Sequence, residues 1–164
     1  MHRTFVAALL ACIACAPAYA QPYPAKSLRF LVPFPPGGGA DALARVTAQK
    51  VAESFGQQVV IDNRAGANGL IGADVVAKSA PDGYTMILIS TGTVAISPHI
   101  YPKMPYDALR DLACVSRVTS TGELLVVHPS LPAKSIKEFI AIAKARPGEI
   151  TLASTGSGGL PHLA

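Results

Sequence analysis

Residues 28–56 read LRFLVPFPPGGGADALARVTAQKVAESFG, and the order of residue types in this stretch decides the fold. Leu28 to Pro33 is an unbroken apolar run, which predicts a strand buried on both faces. Two prolines and three glycines end it. Leu43, Val46, Val51 and Phe55 then recur at helical spacing, with Lys50 and Glu53 on the other side and Gly56 placed as the C-cap. A strand fed through a glycine turn into a helix is the first half of a βαβ unit.

The same rhythm continues. QQVVIDN (57–63) predicts a second strand, GLIGADVVAKSA (69–80) a second helix closed by Pro81-Asp82-Gly83, and YTMILIS (84–90) a third strand. Strand–helix–strand–helix–strand means an α/β fold with a parallel sheet. After Ser90 the rhythm changes. TGTVAISPHIYPKMPYDALRDL (91–112) carries three prolines and little periodicity. ACVSRVT (113–119) and ELLVVHP (123–129) have the look of strands. Ser135 is placed to cap IKEFIAIAKARPG (136–148), with Glu138 completing a capping box, and EITLAS (149–154) reads as a last strand. We expect a first lobe over 21–112, crossing strands over 113–128, and the start of a second lobe over 129–164.

The first twenty residues stand apart. His2 and Arg3 precede a nearly all-apolar run that Pro17 breaks, and Ala18-Tyr19-Ala20 puts small residues where a signal peptidase reads. The reading is a cleaved Sec leader, cut between Ala20 and Gln21, with export to the periplasm. The run is too short for a membrane span, although Leu9-Leu10-Ala11-Cys12 loosely resembles a lipobox. Cys12 and Cys15 leave with the leader, so the remaining Cys114 has no partner for a disulfide or a C-x-x-C metal site. Its apolar setting predicts a small buried hydrophobe. Half of the chain is apolar and 15% is charged, as in a globular domain, and the net charge of +4 is scattered without a Lys/Arg run. No nucleic-acid surface is indicated. STGSGGLPHLA (154–164) stops as a helix begins, so the chain is expected to be a fragment or a truncated product that binds poorly alone.

Three readings of the glycines compete. A Walker loop needs Lys and Ser/Thr after the last glycine, and Ala40-Asp41 stands there instead. The dinucleotide fingerprint is met by Gly37, Gly39 and Ala42, with Asp62 ending the next strand, but an exported protein does not meet nicotinamide cofactors. The third reading is a carboxylate cradle at a helix N-terminus. It gains from a second glycine-rich turn, Ser154-Thr155-Gly156-Ser157-Gly158-Gly159, and from the hydroxyls of Ser90, Thr91 and Thr93 at a third strand end. Ligands of open α/β sheets bind beyond the carboxyl ends of the strands.

Four segments then carry a specific likeness: LRFLVPFPPGGGADALAR, VVIDNRAGANGLIGADVVAKSAPDGYTMIL, IYPKMPYDALRDLACVSRV and LLVVHPSLPAKSIKEFIAIAKARPGEITLASTGSGGLPHLA. Taken in order from Tyr23 to the end, the chain resembles the substrate-binding proteins of tripartite tricarboxylate transporters, the Bug family. The resemblance implies a two-lobed, type II periplasmic-binding-protein architecture. It also implies capture of a small carboxylate, delivery to membrane subunits, and no chemistry. Carried over by position, ligand contacts fall on Phe34, Pro36, Gly37, Gly38, Gly39 and Asp41, and on Ser154, Thr155, Gly156, Ser157 and Gly158, with His162 behind them. Ala108 and Cys114 stand where the family has proline, and family members continue well beyond residue 164.

Asp41 is open to two roles, a ligand contact or a charge favouring the helix dipole. Arg64 is assigned to the turn before Gly66 rather than to a carboxylate clamp. His99 and His128 lack metal-ligand spacing, so neither metal nor cofactor is expected. Gly156-Ser157-Gly158 is not G-x-S-x-G, because Thr155 takes the first glycine's place. An exported hydrolase and a dinucleotide-binding domain therefore remain the alternatives to a monomeric carboxylate receptor.

Overall fold

The computed structural model describes residues 22–154, 157–159 and 161. Strands β1 (Leu28–Val32), β2 (Val59–Asn63) and β3 (Thr85–Ile87) form one parallel sheet in the order β2-β1-β3. Leu28 sits opposite Val59 and Val32 opposite Asn63, while Arg29 faces Thr85 on the other side. Leu28–Pro33 and the third strand thus share a sheet, as the alternation of elements requires. β1 lies in the middle, and this is why it reads as a continuous apolar run: Leu28, Leu31 and Val32 are almost wholly buried.

Helix α1 (Gly39–Phe55) covers one face and helix α2 (Leu70–Ala77) the other. On the first face Phe30 and Val32 meet Ala44 and Ala48, with Phe34, Val59, Ile61, Met86 and Leu88 around them. The buried stripe of α1 is therefore its alanines. Val46 is 62% exposed and Phe55 45% exposed, so the large apolar residues expected to face the core do not all do so. Small side chains let the helix approach closely while the sheet's own large residues fill the space between. Phe55 instead meets the edge of Tyr23, whose hydroxyl donates to the Gly83 carbonyl at 2.7 Å.

On the second face α2 presents Leu70 and Ala73 to Ile87 and Ile89. Gly72 lies against β1 so closely that a Cβ there would stand 2.7 Å from Leu31 Cδ2. The proline-rich stretch after Ser90 holds structure that its irregular pattern concealed. It forms a π-helical turn (Gly92–Ile96) and a short helix α3 (Ser97–Ile100) that tolerates Pro98 in its first turn. Tyr106 is buried beside Leu70 and Ala73, with Met104, Ala108 and Leu112 packed around it.

Beyond Leu112 the sequence expectations fare differently. Helix α4 (Ile136–Ala145) begins where the capping box placed it: Ser135 Oγ accepts from the Glu138 N–H at 3.2 Å. The Glu138 carboxylate reaches back to the Lys134 N–H at 2.7 Å. Residues 113–129 and 149–154, read as strands, are not strands here. A strand exists only as a partner in a ladder, and these segments pair with nothing among the described residues. Val115, Leu124 and Val126 are at least 80% exposed, and Cys114 is exposed rather than buried for the same reason.

Candidate functional site

In a sheet ordered β2-β1-β3 the connection from β1 runs outward to β2, and the chain then crosses to β3 on the opposite side. The crevice at the carboxyl ends of β1 and β3 is the topological switch point, where open α/β sheets bind ligands. The glycine loop after β1 and the hydroxyl-rich end of β3 both lead there.

The glycine loop is braced from beneath. Gly37 adopts a left-handed φ of 84° and its N–H donates to Asp41 Oδ2 at 3.0 Å. Arg45 Nε donates to the same oxygen at 2.9 Å, and Asn63 Nδ2 donates to Oδ1 at 3.0 Å. Asn63 also donates to the Phe34 carbonyl at 3.1 Å, tying the loop to the end of β2. Asp41 is 3% exposed. The Arg45 guanidinium, then the Gly37 N–H and the Asn63 amide, hold its carboxyl well below the usual carboxylate range. Three donors inside the protein already engage it, and through them it braces the loop.

With Asp41 turned inward, the helix N-terminus is left open. Gly38 is the N-cap in extended conformation, and no side chain caps the helix. The N–H groups of Gly39 and Ala40 have no partner within the helix, and they carry the positive end of its dipole. Gly37, Gly38 and Gly39 are exposed, and a Cβ on Gly39 would meet nothing within 4 Å. Neither packing nor backbone conformation calls for glycine at 39. Bare backbone there leaves the helix start open to close approach.

A second turn follows β2. Gly66, Ala67, Asn68 and Gly69 all have positive φ, an unusual run for two residues that carry a Cβ. Thr93 Oγ1 donates to the Asn68 carbonyl at 2.8 Å and lies 3.0 Å from Ser90 Oγ. Thr93 is fully buried and acts as a strut between the two strand ends. Thr91 is exposed and Ser90 half-buried. The turn 157–159 joins them: the Ser157 carbonyl accepts from Tyr101 Oη at 3.1 Å. A Cβ on Gly92 would stand 3.1 Å from the Gly158 oxygen and 3.2 Å from Gly159 Cα. Ser154 is exposed and lies in irregular chain. Thr155, Gly156 and His162 lie outside the described residues. Asn68, Ser97 and Tyr101 were not singled out by sequence. Only Asn68 carried a signal, an asparagine between glycine-rich neighbours, since Asn tolerates positive φ.

Other candidates are accounted for. Asp62, suited by position to a dinucleotide ribose, is joined to Arg29 and Arg64. Arg29 above all holds its carboxyl below the ordinary range. Arg64 thus pairs with the end of β2 just before the turn. A shallow groove of about 470 Å³ beside β1 and β2 is lined by Ser27, Arg29, Val60, Asp62 and Arg64, and the Arg29, Asp62 and Arg64 side chains in it are already joined to one another. His128 Nδ1 pairs locally with Ser130 Oγ at 2.7 Å. Among the described residues no three His, Cys, Asp or Glu side chains gather as a metal site, and no helix is long and apolar enough to cross a membrane.

The Asp41 brace predicts an acid transition. A folded-state pKa below the unfolded value contributes stability that is present above about pH 4 and is lost as pH falls through the folded value. Asp41 and Asp62 share that sign. The stability of Asp41→Asn measured by denaturant titration should lie below wild type at pH 7. The gap should narrow as pH drops from about 4 towards 2. A gap that stays constant over that range would deny Asp41 its charged role.

Comparison with known proteins places the chain among relatives. Residues 43–164 match the model of the tripartite tricarboxylate transporter family receptor. Protein BugT of Bordetella pertussis is 46% identical over 149 residues, covering 90% of this chain and 46% of BugT. The periplasmic binding protein BugD superposes with a TM-score of 0.71 at 31% identity, over 86% of this chain and 47% of BugD. MatC from Rhodopseudomonas palustris, solved with bound malate, superposes with a TM-score of 0.70 at 32% identity, over 75% of this chain and 42% of MatC. The chain thus spans about half the length of the relatives it matches.

Proposed function

The chain belongs to the tripartite tricarboxylate transporter receptor family, and from that membership we propose that it captures a small carboxylate in the periplasm for the membrane subunits of such a transporter. The observation that carries this reading is the uncapped start of α1 at the switch point, fronted by Gly37, Gly38 and Gly39, with the first-turn carboxylate of Asp41 paired to Arg45 and the Gly37 N–H. Backbone N–H groups there would meet one carboxylate of the ligand. Ser90, Thr91, Ser154, Ser157 and Gly158, with Thr155, Gly156 and His162, would complete the site from the other strand ends, while Phe34 and Pro36 shape its rim. The malate held by the related MatC is a ligand of the class this cradle suits.

The protein acts as a monomer and carries out no reaction in this reading, since a cradle of backbone donors orients an anion without activating a nucleophile. Packing of Leu112 on the second face of the sheet supports a first lobe over 21–112. The crossing segment would then span 113–128 and the second lobe would begin at 129. A cleaved leader ending at Ala20 would deliver the chain to the periplasm.

A thermal-shift panel tests the function. Binding to the folded state alone raises the melting temperature with ligand concentration. Succinate, malate or citrate should stabilise the protein and nucleotides should not. Stabilisation by a dinucleotide with no response to any acid would overturn the carboxylate reading.

A further inference from the structure

The site holds a buried donor that nothing among the described residues satisfies. Asn68 is 8% exposed, and its Nδ2 has no hydrogen-bond partner among the described residues. Ser97, wholly buried, likewise leaves its Oγ unpartnered. Buried polar groups are paired in the great majority of cases, so each exception asks for an explanation. These two exceptions face the same feature. A Cβ on Gly158 would come 3.2 Å from Ser97 Oγ and 3.8 Å from Asn68 Nδ2, and a Cβ on Gly92 would come 3.2 Å from Asn68 Nδ2. Glycine at both positions keeps side chains away from the amide.

The backbone that presents Asn68 is held against its own preference. Ala67 and Asn68 are both left-handed, with φ of 47° and 50°. Non-glycine residues adopt this region at a cost and keep it where the surroundings impose it. Here the imposition comes from the Thr93 hydroxyl on the Asn68 carbonyl and from the Gly69 N–H on the Gly66 carbonyl at 2.9 Å. The turn stands beside Pro33, where the glycine loop begins, since a Cβ on Gly69 would lie 3.3 Å from Pro33 Cβ.

An amide NH2 and a hydroxyl can both donate, and a carboxylate accepts only. We propose that Asn68 is a specificity-determining residue whose side-chain N–H, seconded by Ser97 Oγ, reads the distal carboxylate of a dicarboxylate ligand while the start of α1 takes the proximal one. The assignment rests on the carboxylate reading of the site and gives it a reason to prefer two carboxylates over one. An unpaired donor rejects a ligand that cannot fill it more strongly than an apolar wall would.

The test uses succinate and butyrate, which share a four-carbon chain and differ in whether the far end is a carboxylate or a methyl group. Affinities of the wild-type chain, Asn68→Gly and Asn68→Asp are measured by calorimetry or NMR titration. Glycine suits the left-handed turn, and aspartate keeps the shape while turning a donor into an anion. The wild type should favour succinate over butyrate at least tenfold. That preference should collapse towards unity in Asn68→Gly, with butyrate affinity unchanged, and succinate should bind most weakly to Asn68→Asp. A preference retained in full by Asn68→Gly would overturn the role of Asn68 and leave the carboxylate reading standing, as would an ordered water filling the two donors in a succinate-bound crystal. A wild type that binds both acids equally overturns the role of Asn68, and one that answers to a dinucleotide and to neither acid overturns the carboxylate reading with it.

Discussion

Replacing Gly72 by valine should leave little folded protein at room temperature, and Gly72→Ala should lower the melting temperature measurably. Gly72 lies on α2 where the helix crosses β1. A Cβ there would stand 2.7 Å from Leu31 Cδ2, 2.8 Å from Pro33 Cβ and 3.2 Å from the Arg64 carbonyl oxygen. Leu31 and Pro33 are almost wholly buried, the proline ring is rigid, and the carbonyl belongs to the chain leaving β2. None can step aside without moving the sheet or its loop. Overpacking of this kind costs about 1–3 kcal/mol, against which alanine recovers roughly 0.5–1 kcal/mol of helix preference. The net for alanine is on the order of 1–2 kcal/mol, or roughly 4–8 °C. Valine adds two branches into the same wall, and several such costs approach the whole stability of a domain. Circular-dichroism melts of the two variants check this, with Gly39→Ala as control, since a Cβ at 39 meets nothing within 4 Å. A Gly72→Val protein that melts with the wild type would show that α2 does not seat on β1 as described.

That contact also shows what the sequence could and could not tell. The three strands and the helices between them were legible because each is a local matter. A run from Leu28 to Pro33 has no polar face, a glycine turn ends it, and Ser135 with Glu138 spells a helix start within four residues. The seating of the helices was not legible. Val46 and Phe55 look like core residues in a helical pattern, yet the sheet supplies its own bulk through Phe30 and Val32 and takes Ala44 and Ala48 from the helix. Size in the sequence does not say which partner fills a shared space.

The site divides in the same way. The glycine loop was evident because three glycines after a strand are rare and local. The role of Asp41 stayed open because one of the partners that settles it, Asn63, is 22 residues away. Asn68 passed unnoticed because its isolation is created by Gly92 and by the turn 157–159, which are distant in sequence. Residues 113–129 misled in the opposite direction. Their β-branched and apolar composition predicts strands, but composition supplies half of a strand and the partner supplies the rest.

The largest effect on binding should come from Gly39→Pro, a substitution chosen to remove one donor and little else. Gly39 is the first residue of α1, and proline is well accepted there because its φ is already helical and the N–H it lacks makes no helix bond. Gly38 before it has φ −81° and ψ 171°, the extended conformation that a residue preceding proline prefers. The fold should therefore survive, with a melting temperature at or slightly above wild type. What disappears is the N–H that the proposed reading assigns to the proximal carboxylate. A hydrogen bond to a charged group contributes about 1.5–3 kcal/mol, so affinity for succinate or malate should fall roughly 10- to 150-fold. The proline ring also occupies space, and Gly39→Ala separates the two causes. Alanine keeps the N–H and adds only a methyl group, so a loss confined to proline identifies the donor, whereas an equal loss in both identifies close approach of the ligand to the bare backbone. Either pattern places the carboxylate at the start of α1. Unchanged affinity in a folded Gly39→Pro protein would place it elsewhere, because no ligand seated on that helix end can lose its first donor without weakening.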